Sequence, residues 1–142
     1  MIHSHQRASD RSIALIEIYY AAFNRGDWEA MLGLLAPDVA HDLNQGAREI
    51  GIDAFRVFLA RMQKSYAEQL RDIRILASVD GRHAAAEYVV HGQYLADDDG
   101  LPPARGQSYV LPGGAFFEIE GRRITRVSNY YNLKDWIAQV SG

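Results

Sequence analysis

The sequence predicts an α+β fold: cone-shaped, with helices packed over the concave face of a curved, mainly antiparallel sheet that encloses a pocket. Two observations predict it. Up to Tyr66, apolar residues recur mostly at helical spacing, with one short strand-like interruption. Beyond Gln69 the pattern becomes alternating and is broken by turn dipeptides. With 142 residues, 48% of them apolar, the chain reads as one domain able to close a core, over 10–142 behind a flexible N-terminus at 1–9.

The elements follow in order. A helix is expected from Ser9 or Asp10 to Asn24, because Ile13, Ile16, Tyr20 and Phe23 form a stripe that Leu15 and Tyr19 widen. Gly26 suits the C′ position and Asp27 the next N-cap. A second helix is expected over Trp28–Ala36, burying Met31, Leu32 and Leu35, with Pro37-Asp38 ending it. Val39–Leu43 alternates as a short strand. The dense polar stretch HDLNQGAREIG, residues 41–51, then reads as the loop into a third helix, Ile52 to about Tyr66, carrying Phe55, Phe58, Leu59 and Met62 on one stripe. Strands are expected over Arg71–Val79, Ala84–Leu95, Gly106–Ile119 and Arg123–Asn132. Asp80-Gly81 and Glu120-Gly121 make two of the turns, and Pro112-Gly113-Gly114 suggests a bulge. A short helix, Leu133–Gln139, closes the chain.

Several function classes are disfavoured. A net charge of −3 with no arginine-aromatic run argues against nucleic acid as a partner. Zero Cys excludes disulfide and thiolate chemistry. The first twelve residues lack an apolar signal segment, and no run nears the ~18 residues that span a bilayer, so a cytoplasmic protein is expected. The five His lack metal-ligand spacing, and Asp97–Asp99 lacks the pattern of a calcium loop. No metal and no cofactor are expected.

Certain stretches resemble the nuclear-transport-factor-2-like superfamily, and within it SnoaL-like and ketosteroid-isomerase-related proteins. They are Tyr19–Asp27 (YYAAFNRGD), Leu34–Val39 (LLAPDV), the G-x-x-A-F pattern at Gly51–Phe55, and Arg123–Val127 (RITRV). The resemblance spans about 12–137 and implies a fold more than a reaction, since this fold hosts isomerases, cyclases, dehydratases, epoxide hydrolases and binders. Ketosteroid isomerase combines a carboxylate base with an oxyanion hole of a Tyr and a protonated Asp. Against that set, Tyr19 falls at the oxyanion tyrosine, Leu43 where the base belongs with Asp42 one residue earlier, and Gly114 near the protonated aspartate.

The candidate catalytic residues are therefore His41, Asp42 and Tyr19. His41 titrates near neutral pH and suits acid–base work. One step of strand register decides whether it or Asp42 faces the cone. Gln45 could donate its amide to an oxyanion, or simply make a turn. Arg48 and Glu49 read as a local salt bridge or a loop clamp, and an Arg48 facing the mouth would bind a carboxylate. Tyr20 shares the helix face of Tyr19. The resemblance puts Tyr88, Asn129 and Tyr131 inward and Glu87 and His91 on the outer face, where homodimers of the superfamily pack. Arg105, aimed by two prolines, is a candidate anion clamp or a loop staple. Trp136 is a candidate lining residue on the last helix.

Three readings follow. The first is a cofactor-free isomerase or lyase acting by acid–base chemistry on a small hydrophobic, carbonyl-bearing molecule. The second is a non-catalytic small-molecule binder. The third is a dimeric interaction module with a vestigial pocket packed shut by Phe55, Phe58, Tyr88 and Trp136.

Overall fold

The first helix presents Ile16, Tyr19, Tyr20 and Ala22 to the core, all at most 5% exposed. The structure, a computed structural model, describes the backbone of residues 2–142 and the side chains of 7–142. Helix α1 runs Ile2–Asn24, so it begins ahead of the Ser9–Asp10 start that the stripe predicts; most of the expected flexible segment at 1–9 lies outside the described side chains. At its end Asn24 takes both backbone groups of Leu70, donating to the carbonyl at 2.9 Å and accepting from the N–H at 2.8 Å. That two-point bond docks α1 onto the sheet.

Asp27 caps α2 (Trp28–Leu32) by accepting from the Ala30 N–H. This helix is shorter than its periodicity implied. Leu35 and Ala36 belong instead to strand β1 (Leu35–Asp42). Leu35 is fully buried and pairs with Ile124, so a non-local partner overrides the helical pattern. Pro37, which cannot donate to a ladder, lies in the irregular stretch between Leu35 and Ala40.

The stretch 41–51 is no open loop. Arg48–Ile50 forms strand β2, antiparallel to β1, with Asp42 opposite Arg48 and His41 opposite Glu49. Residues 43–47 turn this hairpin, Gln45 adopting a left-handed φ of 56°. Helix α3 (Ile52–Ser65) buries Phe55 and Leu59.

Strand β3 spans Tyr66–Ala77, so it starts earlier than Arg71. It bulges between Arg71 and Arg74, where Asp72 has φ 54°. Strands β4 (His83–Tyr94), β5 (Ser108–Glu120) and β6 (Arg123–Tyr131) complete the meander, and α4 (Leu133–Ser141) follows. The bulge expected at 112–114 is absent: Pro112, Gly113 and Gly114 pair in unbroken register with Val89, Tyr88 and Glu87. Gly113 serves close ring packing, as described below, and Gly114 lies close to the Ala86 carbonyl. The sheet order is β2-β1-β6-β5-β4-β3, with β1 parallel to β6 and every other pair antiparallel. The fold is thus four helices against an open six-stranded mixed sheet, with an aromatic core in the cone between them.

Candidate functional site

Register decides which side chains enter the cone. On β1 the burial pattern puts Val39 and His41 inward, at 0% and 1% exposure. Asp42, the next residue, points to the opposite face. There it accepts from Arg48 Nε at 2.6 Å and Nη2 at 3.1 Å and from the Ser128 hydroxyl, with Arg126 at 3.9 Å. Arg126 also pairs with Glu118 on that face. Hydrogen bonds from Arg48 and Ser128, then the two arginine charges, hold the Asp42 carboxyl down at about 2.

His41 lies in different surroundings. Its ring stacks on Phe55 with centroids 4.2 Å apart and meets the Phe58 edge at 4.6 Å. Its Nε2 is 3.2 Å from the Asn129 amide, while Nδ1 is buried without a hydrogen bond. Burial lowers its pKa to about 4, against a small upward pull from Asp42, so the imidazole is neutral at pH 7.

The tyrosines form a second group. Tyr19 and Tyr20, both 5% exposed, pack against each other and against Phe117. The Tyr20 ring meets Tyr88 at 5.5 Å, and their hydroxyls interact. Burial raises the pKa of both helix tyrosines. Burial, then the charge of Glu68, pushes Tyr88 up to about 12. All three phenols are protonated donors at neutral pH. Gly113 makes room for this packing, because a Cβ there would sit 2.8 Å from the Tyr88 ring.

Glu68 was not singled out from the sequence. It shares the inward face of β3 with Tyr66 and Leu70, and the Tyr109 hydroxyl donates to its Oε2 at 2.5 Å. Burial raises the Glu68 pKa, partly offset by the Tyr109 bond. The alternation Tyr66-x-Glu68-x-Leu70 is a usable signal, hidden because the apolar pattern of the third helix runs on to Tyr66. At the mouth, Tyr66 donates to Asp98 at 2.8 Å, Arg61 lies 3.9 Å from Asp98, and Tyr131 is 40% exposed. Trp136 is 4% exposed and packs edge-on against Tyr66, Tyr94 and Tyr109.

Two expected site residues lie elsewhere. Gln45 is exposed at the hairpin turn, where its backbone is the turn residue. Arg105 is exposed and donates to the Gly142 carbonyl, stapling its loop to the end of α4 rather than facing the mouth or the Asp97–Asp99 run. Thus His41, Tyr19, Tyr20, Tyr88, Asn129, Tyr131 and Trp136 line the cone, while Asp42, Gln45 and Arg105 do not. A cleft of about 630 Å³ lies outside the cone, between α1 and the turns at Asp80–Arg82 and Glu120–Arg122, and none of these groups lines it. Among the described residues, no cluster of three His, Cys, Asp or Glu could hold a metal, and no helix is long and apolar enough to cross a membrane.

Known proteins match this geometry. A structure from Xanthomonas campestris pv. campestris, provisionally named a polyketide cyclase, is 62% identical, with a TM-score of 0.91 over 94% of this chain and 98% of that one. One from Pseudomonas putida with the same provisional name is 56% identical, with a TM-score of 0.90 over 91% and 97%. A third, from Silicibacter sp., is 50% identical, with a TM-score of 0.91 over 92% and 96%. No curated protein matches the chain. The SnoaL-like domain family matches residues 16–127, which hold β1 to β5 and the start of β6 together with Tyr19, Tyr20, His41, Glu68 and Tyr88, while Asn129, Tyr131 and Trp136 follow it. The domain match and the relatives show that the chain belongs to the SnoaL-like family of the nuclear-transport-factor-2-like superfamily.

Proposed function

We propose that the protein is a cofactor-free acid–base enzyme acting on a neutral, hydrophobic, carbonyl-bearing small molecule of the polyketide kind. One observation carries this reading: an aromatic cone that holds a neutral His41 bonded to Asn129 together with the protonated phenols of Tyr19, Tyr20 and Tyr88. Aromatic walls suit a planar apolar ligand. Phenols that stay protonated can donate to an oxygen that gains charge as a neighbouring C–H loses its proton. The three relatives named as polyketide cyclases support the substrate class. Asp42 has no part in this reading, since its oxygens are engaged by Arg48 and Ser128 on the other face.

The outer face supports a homodimer. Val110, Phe116 and Tyr130 are 51%, 50% and 55% exposed there, and the last two rings meet edge to face. Exposed apolar surface of this kind favours burial against a second copy.

A second reading, an interaction module with a closed cone, draws on the packing of Phe55, Phe58, Tyr88 and Trp136 and on the siting of the 630 Å³ cleft outside it. Two probes separate the readings. The first is 2-naphthol binding followed by fluorescence. The second is the exchange of the α-protons of 2-tetralone into D₂O followed by NMR. An enzyme binds the naphthol and speeds the exchange above buffer. A carrier binds without speeding it, and a closed module does neither.

A further inference from the structure

Glu68, Gly92 and Tyr109 lie in one row across the sheet. Gly92 pairs with Glu68 on β3 and with Tyr109 on β5. A Cβ on Gly92 would sit 2.3 Å from the Tyr109 ring. The missing side chain therefore opens the path by which the Tyr109 ring crosses β4 and donates to Glu68 Oε2. Tyr109 itself is 3% exposed, whereas Glu68 is only partly buried. Among the described residues, the other oxygen of Glu68 has no hydrogen-bond donor in the protein, and it is not sealed from solvent. One oxygen is anchored and the other is open, an arrangement that presents a carboxylate to a ligand. His41 contrasts with it, being 1% exposed between two phenylalanine rings.

We propose that Glu68 is the proton acceptor of the cone, a catalytic residue aimed at the ligand by Tyr109 as its positioning residue. This rests on the acid–base reading above and names the base within it. In the step, the C–H bond beside the substrate carbonyl breaks. Its electron pair stays with the substrate as an enolate, and the proton forms an O–H bond on Glu68. The enolate oxygen accepts from the Tyr88 phenol, which in turn accepts from Tyr20. Returning the proton to another atom of the substrate restores the carboxylate. The groups that face Glu68 are Tyr109 on β5, Tyr88 on β4 and Tyr131 on β6, with Asp98 and Arg61 near Tyr131 at the rim. The phenols are neutral donors, and His41, lowered to about 4 by burial, titrates below its ordinary range, so the group in the cone whose pKa is pushed upward toward neutral pH is Glu68.

The test uses the full chain with both probes. From the ordinary carboxylate range up to about pH 8, where 2-naphthol is neutral, wild-type binding tightens as pH rises through the upward-shifted Glu68 pKa, because the ionised carboxylate accepts the naphthol O–H. In E68Q the binding is flat with pH, and tetralone exchange falls ~100-fold or more. In Y109F the binding midpoint moves to higher pH, because the bond that favours the charged carboxylate is gone. Gly92→Ala, which displaces the same ring, moves it in the same direction; a merely structural glycine would not. A wild-type profile that is flat, or one that E68Q preserves, overturns the assignment of Glu68 whatever the exchange rate. Wild-type exchange that E68Q leaves intact also overturns it, while the enzymatic reading stands. A profile that titrates with Glu68 but comes with no exchange in the wild type overturns the enzymatic reading and with it the proton transfer.

Discussion

His41 and Asp42 are consecutive residues of one strand, yet they occupy the two most different environments near the site. His41 is 1% exposed among aromatic rings and has a single polar neighbour. Asp42 is partly open to solvent and bound by an arginine, a hydroxyl and a second arginine nearby. Both pKa values fall below normal, for opposite reasons. Desolvation disfavours the charged imidazole, whereas donors favour the charged carboxylate. The pair shows that the strength of a pKa shift does not by itself locate chemistry. Asp42 is shifted because it is engaged, and an engaged carboxylate on the outer face has no proton to exchange with a ligand in the cone.

The largest break in this comparison is Phe55→Ala. It removes the ring that His41 stacks on, at a site 2% exposed, and should cost ~3–5 kcal/mol of unfolding free energy in a urea titration. A loss under about 1 kcal/mol would mean that the inner face is loosely packed.

Next comes the pH dependence. The folded pKa of His41, about 4, lies below its usual 6.5, so the unfolded chain binds more protons between those values. The contribution of His41 is thus fully present above about pH 6.5 and is lost as pH falls toward 4, a difference on the order of 3 kcal/mol. His41→Gln should flatten that part of the stability profile. Asp42 acts in a lower window: its contribution is present above about 3.8 and is lost as pH falls toward 2. If His41→Gln leaves the slope above pH 4 unchanged, the buried neutral imidazole is not its source.

The smallest effect is Asp42→Asn near neutral pH. Partly exposed ion pairs contribute little, so stability should stay within ~1 kcal/mol of wild type. Tetralone exchange should be unaffected, because the side chain faces away from the cone. A large loss of exchange would place Asp42 in the reaction and dissolve the contrast with His41.

Much of the fold was legible in the sequence, and the residues that were not share one cause. The α1 stripe, the turn at Asp80-Gly81 and the order of the last four strands follow from local spacing and turn chemistry. Leu35 and Ala36 continue a helical pattern locally but are held in a strand by β6. Arg48–Ile50 is too short to signal a strand, and is one only because β1 lies beside it. Glu68 was missed because the first residues of β3 extend the apolar run of α3, and only pairing with β4 shows them to be a strand.

The sequence by itself determined the α+β class, the aromatic wealth of the interior, and a short list holding His41, Tyr19, Tyr20, Tyr88, Asn129, Tyr131 and Trp136. Only the tertiary structure decided that His41 enters the cone while Asp42 leaves it, that 41–51 closes as a hairpin, and that Glu68 meets Tyr109 across Gly92. The physical reason is the range of the forces involved. Helical stripes and turns are written within a few residues, whereas the face a strand residue takes is set by partners far along the chain.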